Sequence, residues 1–372
     1  MSENLADYHP EYTADKLPGG LTEIQLVWPQ LQPWLEERGY VLRPRYRRGW
    51  KPSWLESGKD MFECEGYEMM IVIMDAVRVK DGEVVALKQV ERSLCPYEVG
   101  IGTMFSTEPL RLDPKNHCVP IYDVLQSPLD EDTVILVMPF LWPYKDVRFA
   151  TVGEAVECIR QLFEGLVFMH RHYVAHRDIH EFNVMMDPLP LFWEMPHPSF
   201  PRKSYDFRRR VKRYTRTSRP TKYYFVDFGH SRHFGAATTV PEFHNSAAPQ
   251  NPFWTDVYYL GNLLREDFLQ RFLDFDFLAP LVNDMVQDDP PKRPSAAEAF
   301  ARFAHIRLSL SSLRLRSRVI HRKDSSFFGF FRMCRHVVRT VGYVITGTPT
   351  LQHESSGSSS CGCSSNVESP AC

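Results

Sequence analysis

The sequence predicts an α+β protein in which a small antiparallel β-rich unit precedes a larger, mainly α-helical one. Three observations carry that prediction. Residues 69–79 and 83–90 are two β-rich runs flanking Asp81-Gly82, the signature of a tight hairpin. Residues 151–173 place Val152, Ala155, Ile159, Leu162, Phe163, Leu166 and Met169 on one helical stripe. Further helical patterns at 255–273, 277–287 and 295–306 follow without an intervening long β-run.

In chain order, residues 1–60 are punctuated by proline and mixed in character, so they are expected as an N-terminal extension packed on the first unit. Residues 61–141 form the β-rich unit. Within it, 94–106 read as a single helix with Pro96 in the first turn, although Gly100 and Gly102 each cost about 1 kcal/mol relative to Ala. The run TVILVMPFL (133–141) reads as a buried strand ending at Pro139. Residues 142–306 form the helical unit, with two short strands at NVMMD and KYYFVDF. Between those strands lies an insert, 188–222, too long for an ordinary loop and therefore functional or unstructured. Residues 307–372 comprise a basic amphipathic stretch and a Ser/Gly/Cys-rich tail that reads as disordered.

The formal net charge of −2 conceals a strong asymmetry. Residues 202–222 and 302–339 each hold ten Lys/Arg and one acid, a net +9 apiece, so the remaining residues carry a net −20. Such blocks mark interaction surfaces. The 202–222 block suits an acidic or phosphorylated partner, and nucleic acid is not expected. The N-terminus lacks the apolar core of a secretory signal, and no uncharged apolar run reaches about 18 residues. The cysteines are scattered apart from Cys361 and Cys363, with no zinc spacing. A reduced intracellular protein, cytoplasmic or nuclear, is expected.

The chemistry concentrates in two segments, His-Arg-Asp-Ile-His-Glu-Phe-Asn at 176–183 and Asp-Phe-Gly at 227–229. Asp178 can orient a hydroxyl nucleophile, and Asn183 and Asp227 offer oxygens to a hard cation such as Mg²⁺. This spacing points to phosphoryl transfer.

These motifs resemble the eukaryotic protein kinase superfamily, and within it a divergent group of fungal kinase-like proteins, over about residues 60–306. The resemblance implies a bilobal kinase-like fold, a β-lobe with one helix above a helical lobe, using ATP and Mg²⁺. Val85-Ala86-Leu87-Lys88 is similar to the third-strand lysine motif, which implies that Lys88 pairs with the α/β-phosphates. A helix glutamate then holds that lysine. Glu98 suits this role, with Glu108 as competitor, although Pro109 makes a mid-helix position for Glu108 unfavourable. Met138 becomes the gatekeeper, the Pro139 carbonyl and Leu141 amide contact adenine, and Ile73, Ala86 and Met185 sandwich it. Asp256 is similar to the aspartate bracing the catalytic loop, Val240-Pro241-Glu242 to the close of the activation segment, and Arg293 to its ion-pair partner.

Four departures bear on activity. Counting back without gaps from Lys88, Gly66 falls on the first glycine of the phosphate loop, but Glu68 and Ile71 replace the other two. A glutamate near a polyanion costs roughly 4 kcal/mol at 4 Å and an effective dielectric of 20. His180 stands where Ser/Thr kinases place lysine. Eleven residues separate Gly229 from Pro241, a short platform for a peptide. In it Thr238 or Thr239, once phosphorylated, could pair with Arg177. The fourth departure is the basic insert.

The resulting expectation is an ATP- and Mg²⁺-dependent kinase for Ser/Thr of a protein. A pseudokinase binding module is the alternative, and a small-molecule kinase, suggested by Asp178-Ile179-His180, stands third. The stretch 325–346 mixes aromatics with Arg332, Arg335 and Arg339. It reads as an amphipathic helix that either packs back on the body or touches an anionic membrane, with Cys361 or Cys363 as a lipid-carrying second anchor.

Overall fold

A computed structural model of the chain describes residues 21–47, 49–59, 73–235 and 251–351. In chain order the elements are α1 (Val27–Glu37), β1 (Tyr40–Leu42), α2 (Ser53–Ser57), β2 (Ile73–Arg78), β3 (Val84–Glu91), α3 (Glu98–Ser106), β4 (Asp123–Gln126), β5 (Thr133–Pro139), β6 (Trp142–Pro143), α4 (Val152–Arg171), β7 (Val174–Ala175), β8 (Val184–Met186), β9 (Pro196–His197), β10 (Phe200–Ser204), β11 (Tyr223–Phe225), β12 (Arg232–His233), α5 (Pro252–Leu264), α6 (Ala279–Met285), α7 (Ala296–Ser309), α8 (Ser312–Arg316) and α9 (Ser326–Ile345). The fold is mixed α+β. Five strands form an antiparallel sheet in the order β1-β2-β3-β5-β4, and β11-β8-β6 form a second, smaller sheet.

The predicted hairpin is β2–β3, closed at Gly82, whose φ of 73° lies in the left-handed region that glycine tolerates. Strand alternation then divides the sheet. Met74, Ala76, Val85, Leu87, Ile135 and Val137 face outward and bury Trp28, Leu31 and Leu35 of α1. Each such side chain contributes about 1.5–3 kcal/mol. Residues 21–46 therefore pack on the outer face as expected of the extension, and they also supply β1, which pairs with β2. Ala86, Val90, Leu136 and Met138 face inward and join the continuous core of the helical part.

The stripe predicted on α4 is buried throughout. Thr151 caps the helix by accepting from the Glu154 N–H. Gly165 lets α4 approach the 116–118 turn closely, since a Cβ there would meet the His117 Cβ at 2.6 Å. Two expected helices shift. The one expected at 94–106 starts at Glu98, leaving Pro96 ahead of it. The one expected at 255–273 is broken: α5 ends at Leu264 and a single π-type turn, Arg265–Leu269, follows. That turn carries Asp267 to Lys145, 2.6 Å away.

The 188–222 insert is ordered. It contains the β9–β10 hairpin, and buried Arg216 anchors it by donating to the carbonyls of Val147 and Tyr144 at 2.8 and 2.7 Å. Beyond α7 the chain forms α8 and α9. No helix among the described residues is long and apolar enough to cross a membrane.

Candidate active site

Lys88 lies on the inner face of β3, opposite Ile73 and Leu136. Its Nζ donates to Glu98 Oε1 at 2.5 Å and to Asp227 Oδ1 at 2.8 Å. Glu98 can receive it because α3 is tied to the helical body by Asn116, whose amide donates to the carbonyls of Phe105 and Leu110 at 2.9 and 3.0 Å. The competitor Glu108 is exposed, beyond the end of α3. Burial alone depresses Lys88, but the Glu98 and Asp227 carboxylates outweigh it and hold the ammonium above its usual range. For Glu98, burial outweighs the pull of Lys88 and raises its carboxyl. Asp227 moves the other way: burial raises it, yet Lys88 and the Gly229 N–H bring it below the usual carboxylate range. Side-chain exposure rises from 4% at Glu98 through 13% at Lys88 to 42% at Asp227, so the charged row opens at its Asp227 end.

The 176–183 loop is held from beneath. Asp256 on α5, wholly buried, accepts from the His176 and Arg177 amides at 2.8 and 2.6 Å and lies 3.0 Å from His170 Nε2. Arg177 has a left-handed φ of 67° and donates to the His230 carbonyl at 2.8 Å, joining this loop to the one that carries Asp227. At the front, Asn183 Nδ2 donates to both the backbone carbonyl and Oδ2 of Asp178, at 2.9 and 2.8 Å. The His180 Nδ1 accepts from the Phe182 amide at 3.2 Å, and its Nε2 lies 3.4 Å from Asp178 Oδ2. His180 thus belongs to the same set.

Two side-chain oxygens here are of the type a hard cation takes, although no group of three His, Cys, Asp or Glu that could hold a metal occurs among the described residues. Asn183 Oδ1 and Asp227 Oδ2 make no hydrogen bond among the described residues, and both are oxygens. Mg²⁺ usually takes one or two carboxylates and completes its shell with phosphates and water.

Sequence reasoning missed three features. His176, Phe228 and Phe105 pack in a column as tilted rings, with centroids 5.5 and 6.1 Å apart, which couples α3 to both loops. A cleft of about 370 Å³ beside Asp178 is lined by Glu181, Glu266 and Asp267 as well, four carboxylates in all. The third is a latch on the inner face of β2. Asp75 sits opposite Ala86 and shares its face of the sheet. It accepts from Arg43 Nε at 2.8 Å and from the Tyr205 hydroxyl of the insert at 2.5 Å. The Arg43 Nη1 lies 3.2 Å from His197 Nε2, also on the insert. The insert is therefore fastened beside Ala86. A lone aspartate within the apolar run IVIMDAV was the available signal.

Of the remaining adenine-side candidates, Met138 is buried opposite Ala86. Pro139 ends β5, Leu141 follows it, and Met185 lies on β8 opposite Pro143 and Tyr224. Gly66, Glu68, Ile71, Thr238, Thr239 and Val240-Pro241-Glu242 fall outside the described residues. Arg293 donates to the carbonyls of Gln287 and Trp254, at 2.7 and 3.2 Å, and stacks over Tyr258. No protein-family model and no curated protein matches the chain.

Proposed function

We propose that the protein is an ATP- and Mg²⁺-dependent phosphotransferase of the bilobal protein kinase type, acting on Ser/Thr hydroxyls of a protein. One observation carries the reading: Lys88 Nζ reaches Glu98 and Asp227 at once, while Asp178 and Asn183 stand together on the adjoining loop. In this reading Lys88 positions the nucleotide phosphates. Asp178 orients the acceptor hydroxyl and takes its proton. Asn183 and Asp227 would hold magnesium, which would neutralise phosphate charge when bound. The work is mostly positioning and electrostatics. The test is label transfer from ATP to a mixed protein substrate. Wild-type protein should exceed Asp178→Ala clearly; equal transfer by the two overturns the reading.

A second reading, a kinase-like binding module without turnover, is favoured by the Tyr205–Asp75 latch, which fastens the insert where adenine would stack. Nucleotide that binds only the folded state raises its stability. A thermal shift with Mg-ATP that disappears in Lys88→Ala supports nucleotide binding; no shift in either protein favours the module.

A further inference from the structure

The two basic blocks of the sequence, far apart along the chain, meet in space. Arg213 of the insert and Arg148 and Arg318 of the body join Arg332, Arg335 and Arg339 of α9 around a pocket of about 170 Å³. Asp324 is the acid lining it, and it is shared by Arg332 at 2.5 Å, Arg148 at 2.9 Å and Arg318 at 3.9 Å. Arg213, Arg335 and Arg339 have no carboxylate partner among the described residues. Buried nitrogens of Arg318 and Arg339 make no hydrogen bond among the described residues. Guanidiniums so crowded repel one another unless an anion joins them, and their planar forks match phosphate oxygens.

The same helix shows an inverted distribution. Arg332 turns toward the body, where it meets Asp324, and Arg335 lines the pocket while staying exposed; the apolar side chains turn to solvent. Phe327, Phe330, Phe331, Val338, Val341 and Ile345 are all exposed, Val338 at 74%. A contiguous apolar stripe of this kind marks a docking surface. No helix here can cross a bilayer, so this one would lie along an interface.

We propose that α9 and the arginine pocket together dock the protein on an anionic membrane, the stripe entering the acyl boundary and the pocket taking the phosphate of a lipid headgroup. Charge complementarity selects this occupant. Residues 352–372 hold Val367 as their one large apolar residue besides cysteine, too little to cover the stripe.

The test is flotation of the full chain with vesicles of phosphatidylcholine alone or doped with a phosphatidylinositol phosphate. Binding to the doped vesicles should be tighter by about tenfold or more. Arg213→Gln/Arg335→Gln should remove most of that preference. Val338→Ser/Val341→Ser should weaken binding to both vesicle types. Both double variants alter exposed residues, and their thermal melts should match wild type. Equal binding to the two vesicle types, or none to either, overturns the proposal without reference to any variant. If soluble inositol phosphate binds as tightly as the vesicles do, the pocket serves a free phosphate compound and the membrane assignment is wrong.

Discussion

The two faces of the five-stranded sheet are built on opposite principles. The outer face is apolar at every position that meets α1, and its stability is that of an ordinary core. The inner face carries two charges in neighbouring strand pairs, Lys88 and Asp75, and each is satisfied from a distance. Lys88 is met by Glu98 and Asp227, the latter 139 residues away in sequence. Asp75 is met by Arg43 and by Tyr205, the latter 130 residues away. Buried charge is tolerated only when paired. A strand with one apolar and one charged face thus separates what holds the fold from what acts on a ligand. The two charges also differ in what they join: Lys88 ties α3 to the loop that carries Asp227, and Asp75 fastens the insert beside Ala86.

The largest effect expected on this contrast is chemical. Asp178→Ala should lower label transfer by about 10²–10⁴-fold while leaving the melting temperature close to wild type, because Asp178 is about one-third exposed. A large loss of stability would show that the loop is structural and would remove Asp178 from the chemistry.

Stability separates the faces next. Lys88→Met leaves the Glu98 carboxylate buried without its ammonium, so urea unfolding should register a loss of about 3–5 kcal/mol. Lys88→Met/Glu98→Leu should recover part of it, since two apolar groups can replace a buried ion pair. Leu35→Ala on the outer side should cost about 2–5 kcal/mol through the cavity it leaves and should not change transfer per folded molecule. If Leu35→Ala alters transfer while Lys88→Met is silent, the division of labour between the faces fails.

The latch is the subtler test. Tyr205→Phe removes one hydrogen bond to a carboxylate, worth about 1.5–3 kcal/mol. A folded protein with a looser insert should gain a larger thermal shift with Mg-ATP than wild type. A shift unchanged by Tyr205→Phe would mean that the insert and the nucleotide do not compete.

How far the sequence disclosed this arrangement follows from the range of the interactions. The 176–183 and 227–229 motifs are local and fixed by backbone turns, so their places in the fold could be read from spacing. The choice between Glu98 and Glu108 rests on where α3 begins and ends, which Asn116 settles from outside the helix. The insert's order was not legible because buried Arg216 and the Asp75 latch hold it, and neither leaves an apolar period. The periodicity of α9 was plain, but its orientation was not, since the contact that draws Arg332 to Asp324 lies beyond the amphipathic pattern itself.

The smallest expected effect concerns pH at the inner face. His197 is pushed down to about 3, first by burial and then by the neighbouring Arg43, with Arg45 acting the same way and Asp75 opposing. An unfolded histidine titrates near 6.5. The folded state therefore binds fewer protons between these values, and stability falls as pH drops below about 6.5, continuing until about 3. The slope from this one group is about 1.4 kcal/mol per pH unit within that window. Buried His176 and His117 are also pushed down, first by burial, and tilt the curve in the same direction. The signature of the latch is thus a difference between proteins. His197→Gln keeps a polar side chain beside Arg43 but cannot take up a proton, so its stability measured by urea unfolding from pH 6.5 to 5 should decline less steeply than wild type. Above pH 7.5 the two slopes should coincide. Identical slopes in the acid range would mean that His197 is hydrated and that the insert stands away from the sheet in solution.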